Sequence, residues 1–246
     1  MTNHTNKCVF CLKEFNDKDC DDKKTKEHVF PQSWYPDSTP KNLEKWNVYS
    51  CYKCNQEYGK IEQELLIKLG LCVDPKDAKS SGIANKVRHS LDPNCGKNER
   101  DRNARIKRRE GVIKETKQLK SFPSHAILPN FGSHKSSPFS KQKIVLVLAE
   151  DLKKFSTKLV RGLTFLLDNA FIEDDYVIDI FYIDEGSDAV NRINNNLKKH
   201  GNLQHRGPGI VIERAVAQDD PKSFLYRIEV WGKFVIYGIV SKNSHV

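Results

Sequence analysis

Four cysteines form two Cys-x2-Cys pairs, Cys8 with Cys11 and Cys51 with Cys54, separated by residues 12–50. In each pair a tight turn can direct two thiolates at one metal ion, and two pairs complete a tetrahedral zinc site. Four thiolate ligands leave no open position for a substrate, so the expected Zn²⁺ is structural. Any chemistry must therefore come from the residues between the pairs. The alternative is a set of unrelated buried thiols.

The segment between the pairs places an acidic residue directly before a histidine, as Glu27-His28. Asn47 follows His28 by 19 residues, and Asn55 comes directly after Cys54. Apolar residues recur at intervals of three and four between residues 55 and 71, which predicts an amphipathic helix that ends at a glycine. Asn55 is therefore expected in the first turn of that helix.

An acid beside a histidine, followed by an asparagine and then by an asparagine or histidine on a helix, resembles the HNH, or ββα-metal, nucleases. The second cysteine pair continues as Cys54-Asn55-Gln56-Glu57-Tyr58-Gly59-Lys60, which is similar to the zinc-stapled branch of that family. The segment Glu27–Ser33 also resembles the HNH domain of RNA-guided CRISPR effectors. The resemblance covers about residues 8–70. It implies a metal-dependent endonuclease that hydrolyses DNA and leaves 5′-phosphate and 3′-hydroxyl ends.

The resemblance implies a role for each of four residues. His28 is the expected general base, because a neutral imidazole can take a proton from water near neutral pH. Glu27 and Asn55 are the expected protein ligands of a catalytic divalent cation, and Asn47 is expected to hold the loop through hydrogen bonds to its backbone. Many members carry histidine where this chain has Asn55, and an amide oxygen favours Mg²⁺ or Mn²⁺ over a softer metal.

Plainer roles stay open for the same residues. His28 can be a structural histidine, and Asn55 can simply cap the helix. Asn47 can be a turn residue, with Asn42 as the true counterpart. Adjacent residues on an extended strand also point to opposite sides, so Glu27 and His28 converge on one phosphate only if the backbone turns there or the substrate lies between them.

The positive charge of the chain is concentrated in its middle. The formal net charge is +9, and residues 97–143 alone hold 13 basic and 4 acidic side chains, while the flanking segments are nearly neutral. A confined cationic cluster attracts polyphosphates. The alternatives are a solvated helix face or a flexible linker. The residues predicted to bind nucleic acid are Lys60, Arg100, Arg102, Arg105, Lys107, Arg108 and Arg109.

The order of the predicted elements indicates an α+β protein in three segments. Residues 1–75 form the expected HNH domain with structural zinc, 76–140 a basic linker that contacts DNA, and 141–246 an α+β domain of unknown role with a mixed or partly antiparallel sheet. In the last segment we predict helices near 152–171 and 188–200 and strands near 144–148, 176–183, 210–216, 223–230 and 233–240. The loop at 205–209 is rich in glycine and carries a cation, so a phosphate contact and a plain loop are both open.

The composition of the chain also bears on whether it spans a membrane and where it is located. The longest apolar runs, 144–149 and 234–240, are far shorter than the roughly 20 residues of a spanning helix. A polar N-terminal stretch predicts a cytoplasmic protein. We expect double-stranded DNA as the partner, with nicking by a monomer and double-strand cleavage by a homodimer, in bacterial defence or restriction. The alternatives are a non-catalytic zinc-ribbon protein that binds nucleic acid, and a defence effector whose C-terminal domain senses a partner.

Overall fold

The N-terminal part of the fold is an antiparallel hairpin that runs directly into a helix. The structure is a computed structural model that describes residues 6–118, 128, 138–182 and 187–243. Strand β1 (Lys24–His28) pairs with β2 (Asn47–Cys51), and α1 (Tyr52–Gly70) follows without a break. The Cys51 thiol accepts a hydrogen bond from the Cys54 amide and so caps the helix. The helix predicted from residue 55 is confirmed, although it begins three residues earlier.

Much of the segment predicted as a basic linker is helical. Helix α2 (Ile83–Leu91) is followed by α3 (Glu99–Glu115). Asn98 is the N-cap of α3, and its side chain accepts a hydrogen bond from the Asp101 amide. Two acidic residues in the first turn of α3 favour this helix start, because they complement the positive end of the helix dipole. The Ser- and Pro-rich stretch from 121 to 140 lies largely outside the described residues.

The C-terminal part is a five-stranded antiparallel sheet with two helices. A short pair, β3 (Thr116–Lys117) with β4 (Ile144–Val145), leads to α4 (Ala149–Asp168). The sheet has the order β5-β9-β8-β7-β6, and α5 (Asp188–His200) joins its edge strands along the chain. Its strands are β5 (Tyr176–Phe181), β6 (Asn202–His205), β7 (Ile210–Val216), β8 (Phe224–Val230) and β9 (Phe234–Lys242). The predicted α+β class is confirmed, and the sheet that was expected to be mixed or partly antiparallel is antiparallel at every described pairing.

The turn between β8 and β9 has the geometry of a tight hairpin turn, which agrees with the two strands predicted on either side of it. Trp231 and Gly232 both have positive φ angles, 55° and 71°. Two consecutive positive φ values match the right-handed twist of a hairpin. Burial alternates along β8, with every second side chain facing the core. Strand β6 was not predicted, because its four residues lack that alternation of apolar side chains.

One hydrophobic cluster contains residues of both the N-terminal and the C-terminal segments. The Trp34 ring lies 4.5 Å from that of Phe155 on α4 and 4.8 Å from that of Trp231. The Trp231 indole N–H also donates to the Trp34 carbonyl at 2.7 Å. The predicted boundaries at 75 and 140 stay a prediction about folding units, but the segments share a core in this structure.

No helix of the described residues combines the length and the apolar composition that a bilayer-spanning segment requires.

Candidate functional site

The four predicted zinc ligands converge at the base of the hairpin. The thiol sulfurs of Cys8, Cys11, Cys51 and Cys54 all lie within 4.8 Å of one another, and Cys11 Sγ lies 3.7 Å from Cys51 Sγ. A tetrahedral site with Zn–S bonds of about 2.3 Å has sulfurs about 3.8 Å apart. The donor set and spacing therefore fit Zn²⁺, and the predicted convergence of these four cysteines into a cluster that could hold a structural metal is confirmed.

Two backbone amides donate hydrogen bonds to sulfurs of this cluster. The amide of Phe10 points at Cys8 Sγ and that of Cys54 at Cys51 Sγ, both at 3.4 Å. A hydrogen bond with the Cys54 thiol lowers the pKa of Cys8 to about 5, and burial raises the pKa of Cys11 to about 11. One thiol of the cluster therefore loses its proton readily, whereas the other thiols do so only when a cation binds among them. Metal binding is thus coupled to proton release.

His28 and Asn47 face each other across the hairpin. They are partners in the β1–β2 register, His28 as the last residue of β1 and Asn47 as the first of β2. The Asn47 amide donates to the Lys45 carbonyl in the connecting loop at 3.4 Å, and the Gln32 amide lies 2.6 Å from His28 Nε2. Burial lowers the pKa of His28, although the Glu27 carboxylate opposes this. The imidazole is therefore neutral at pH 7.

Asn55 lies in the first turn of α1 and ties the helix to β1. Its side-chain nitrogen donates to the Lys26 carbonyl at 3.0 Å and to the Thr25 hydroxyl at 3.3 Å. These bonds use the amide nitrogen and leave the amide oxygen outside them. Asn55 therefore joins the helix to the strand that carries His28.

Glu27 lies on the other side of β1 from the His28 imidazole, in a buried cluster of charges. Only 8% of Glu27 is exposed, and its carboxylate binds Lys158 Nζ at 2.5 Å. The fully buried Lys158 ammonium also binds the Glu62 carboxylate and donates to the His28 carbonyl at 2.7 Å. The Glu27 carboxylate, the charged ligand expected for the catalytic cation, is thus already paired with an ammonium.

The charge cluster contains residues that the sequence did not indicate. Glu62 is on α1 and Lys158 on α4, 96 residues apart in the chain. Lys158 stands among the apolar residues of a helix, directly before Leu159, and nothing in that pattern names its partner. Burial raises the pKa of Glu62 to about 7, with the Lys158 ammonium opposing the shift.

The predicted cations of α3 divide between structural and exposed positions. Arg105 is buried and donates to the His89 carbonyl, and Arg108 donates to the Ser90 carbonyl at 3.1 Å. Both carbonyls belong to the last turn of α2, so these guanidinium groups cap that helix. The remaining predicted cations are exposed: Lys60, Arg100, Arg102, Lys107 and Arg109.

A groove between α1 and α3 brings two of the exposed cations together. The groove has a volume of about 460 Å³, and both Lys60 of α1 and Lys107 of α3 line it. Arg100 is seven residues before Lys107 and lies on the same face of α3, whereas Arg102 and Arg109 lie on the opposite face. Lys68 fixes the two helices by binding Glu64 at 2.7 Å and Glu115 at 2.8 Å.

Comparison of the chain with models of known protein families, with curated proteins and with solved structures gives no match.

The cysteine cluster predicts one tightly bound Zn²⁺ per chain. Replacing Cys51 with serine should release the metal and lower the midpoint of thermal unfolding, because the hairpin, the N-terminal loop and α1 meet at this site. Metal analysis of the purified protein measures the molar ratio of zinc to protein. The matched control is Cys20→Ser, since Cys20 is exposed and outside the cluster. Folded wild-type protein without bound metal would contradict the assignment.

The raised pKa of Glu62 predicts that the folded protein loses stability as the pH rises. Its pKa is about 7 in the folded chain and near 4.5 in the unfolded chain, so the folded state holds the proton more tightly. Its contribution is complete below pH 4.5 and is lost as the pH rises toward 7. Relative to Glu62→Gln, the wild-type free energy of unfolding should fall by roughly 2–3 kcal/mol across that window.

Urea unfolding of both proteins at a series of pH values measures this difference, and subtraction at each pH removes the contribution of the zinc site. Glu57→Gln, at an exposed position of the same helix, is the control. Parallel stability curves for Glu62→Gln and the wild type would show that Glu62 does not titrate in this range.

Proposed function

We propose that the chain is a zinc-stapled HNH endonuclease that hydrolyses phosphodiester bonds of DNA. The observation that carries the proposal is the pairing of His28 with Asn47 at the end of an antiparallel hairpin that leads directly into a helix. A four-cysteine cluster at the base of the same hairpin supports it. The expected setting, defence against foreign DNA or restriction, rests on the family resemblance alone.

His28 is the general base in this proposal. The lowered pKa supports that role, since the imidazole must be neutral to take a proton from the attacking water. Asn47 supports it by holding the loop through the Lys45 carbonyl, and Lys158 does so by holding the His28 carbonyl. The base is thus fixed at its own backbone and at the loop opposite.

The proposal includes a catalytic Mg²⁺ or Mn²⁺ ion. Asn55 and Glu27 would hold it, and it would stabilise charge on the phosphate and on the leaving oxygen. A divalent cation at Glu27 must compete with the Lys158 ammonium, which binds that carboxylate at 2.5 Å.

The same ion pair favours a second candidate function. If Glu27 serves only to bind Lys158, the chain is a zinc protein that binds nucleic acid without cutting it. The exposed cations of α1 and α3 serve binding equally well in both cases. The two functions differ in whether His28 matters for cleavage.

Replacing His28 with alanine should lower the rate of Mg²⁺- or Mn²⁺-dependent nicking of supercoiled plasmid by about 100-fold or more, because the attacking water loses its proton acceptor. Gel analysis of plasmid forms over time measures the rate. Affinity for duplex DNA should be unchanged. The control is His200→Ala, at an exposed position at the end of α5.

Equal nicking rates for His28→Ala and the wild type would show that His28 is not the general base. Plasmid binding without nicking by the wild type, in the presence of either ion, would favour the non-catalytic candidate.

The exposed cations next to the α1–α3 groove should supply the affinity for DNA. Replacing Lys60, Arg100 and Lys107 with glutamine should weaken duplex binding and flatten its salt dependence by about 0.9 per lost phosphate contact. Fluorescence anisotropy at several salt concentrations measures both quantities. The control replaces Arg192, Lys198 and Lys199, which removes the same charge from exposed positions on α5.

An equal loss of affinity in the two triple variants would mean that net charge alone drives binding. Arg105→Gln is expected to act differently, by destabilising the contact between α2 and α3, because Arg105 is buried against the His89 carbonyl.

A further inference from the structure

The groove between α1 and α3 combines an apolar lining with a cationic edge. Its volume of about 460 Å³ is within the range of roughly 300–1,000 Å³ that is typical of ligand pockets. The apolar residues and the glycine that line it are Ile67, Ala104, Gly111 and Val112. A ligand that fills the groove must therefore offer an apolar surface, which a phosphate backbone alone does not have.

Gly111 keeps part of this groove open. A glycine in the interior of a helix costs about 1 kcal/mol relative to alanine. A Cβ at position 111 would meet no other atom within 4 Å, so the packing of the chain does not demand a glycine there. Because Gly111 lines the groove, the space that a side chain would fill belongs to the groove.

The charges of the lining are paired at one end of the groove and free at the other. Lys68 binds Glu64 at 2.7 Å and Glu115 at 2.8 Å, which neutralises both carboxylates and holds the two helices apart at a fixed width. Lys60 and Lys107 come eight residues before Lys68 and Glu115, about 12 Å along each helix. Both are exposed, and neither has an ion-pair partner among the described residues. The charge open to a ligand is therefore positive.

A second hollow of about 500 Å³ adjoins the groove, since Ala104 and Lys107 line both. Glu99 and Arg100 also line this second hollow. Arg100 precedes Lys107 by seven residues, about 10 Å along α3. A single strand of nucleic acid carries about three phosphates over that distance. The cations thus follow a line along the helix, which suits an extended polyanion better than one compact anion.

The apolar lining favours a single strand over a duplex. The bases of a duplex are stacked and paired, so only its phosphates can reach Lys60 and Lys107, and the apolar lining stays unused. Turning a base out of a duplex costs a few kcal/mol, whereas a strand that is already single avoids most of that cost. An unstacked base offers a flat surface that apolar side chains can hold.

We propose that the groove between α1 and α3 binds an unstacked base of a single-stranded DNA segment. The base lies on Ile67, Gly111 and Val112, and the neighbouring phosphates lie on the exposed cations at the open end. That the ligand is DNA rests on the proposed function, and the groove adds that the bound part is single-stranded. The preferred DNA of this chain therefore contains unpaired bases.

The test fills the groove and leaves its cations in place. Gly111→Leu adds a side chain where a Cβ meets no atom, and leucine favours a helix over glycine, so the fold should be kept. Affinity for a short single-stranded oligodeoxynucleotide should fall about tenfold, because one base loses its contact surface. Affinity for a duplex of the same sequence should be unchanged. Fluorescence anisotropy without divalent cations measures both, so that cleavage plays no part.

The matched control is Gly59→Leu, the same substitution at an exposed glycine of α1 that does not line the groove. A Cβ at Gly59 also meets no atom within 4 Å. This variant should bind both DNAs as the wild type does, and circular dichroism checks the fold of both variants. Unchanged single-strand binding by Gly111→Leu would overturn the proposal. Equal losses for single strand and duplex would do so too, and so would a wild type that binds no single strand.

A second measurement locates the bound base. An oligodeoxynucleotide with a photoreactive thymine analogue is crosslinked to the wild type and to Gly111→Leu, and mass spectrometry identifies the attached peptides. Crosslinks should fall within residues 60–68 and 104–115 of the wild type and be lost in the variant. Crosslinks confined to α5 or to the C-terminal sheet would contradict the proposal. Failure of nicking in the separate plasmid assay leaves both results intact, because neither measurement uses a divalent cation, and failure here leaves the role of His28 open to that assay.

Discussion

The buried ammonium of Lys158 constrains the whole arrangement. Burying an unpaired ammonium costs several kcal/mol, and this one is matched by two carboxylates and a backbone carbonyl from other elements. Two of these acceptors lie on β1 and one on α1, so α4 must lie across both. The close approach of Gly162 to Val29 meets the same requirement, since a Cβ on that glycine would lie 2.8 Å from a Val29 methyl. The C-terminal sheet is thereby attached to the hairpin that carries His28.

This constraint separates two adjacent residues that the family resemblance brings together. Glu27 turns inward to Lys158, and the His28 imidazole turns to the outer side, where Gln32 lies against it. The alternation of a strand produces this result unless the backbone turns. The same ammonium holds the His28 carbonyl, so the interaction that removes Glu27 from solvent also fixes the backbone of the candidate base. A packing role and a chemical role therefore occupy consecutive positions of one strand.

Local patterns predicted the elements well, and long-range partners could not be predicted. The helix at 188–200 and the strand at 210–216 match because their own apolar spacing defines them. The four cysteines converge as predicted, since ligand spacing encodes the site. Lys158, by contrast, is one charge in an apolar helix, and its acceptors are nearly a hundred or more residues away. The basic run did not reveal that Arg105 is buried or that Arg108 binds the end of α2, because one face of α3 is as cationic as another.

The rigid placement of α3 makes the basic surface part of the candidate site. Lys68 binds acidic residues of both α1 and α3, so the two helices keep a fixed spacing. Lys60 follows Asn55 on α1 by five residues, a rise of about 7.5 Å along the helix. Five residues also turn the helix by about 140°, so α1 presents Lys60 to the groove on one face and Asn55 to β1 on another. Under the proposed function, cations on a flexible linker would increase the local concentration of DNA only, whereas cations held on α1 and α3 would also orient a bound strand relative to these two helices.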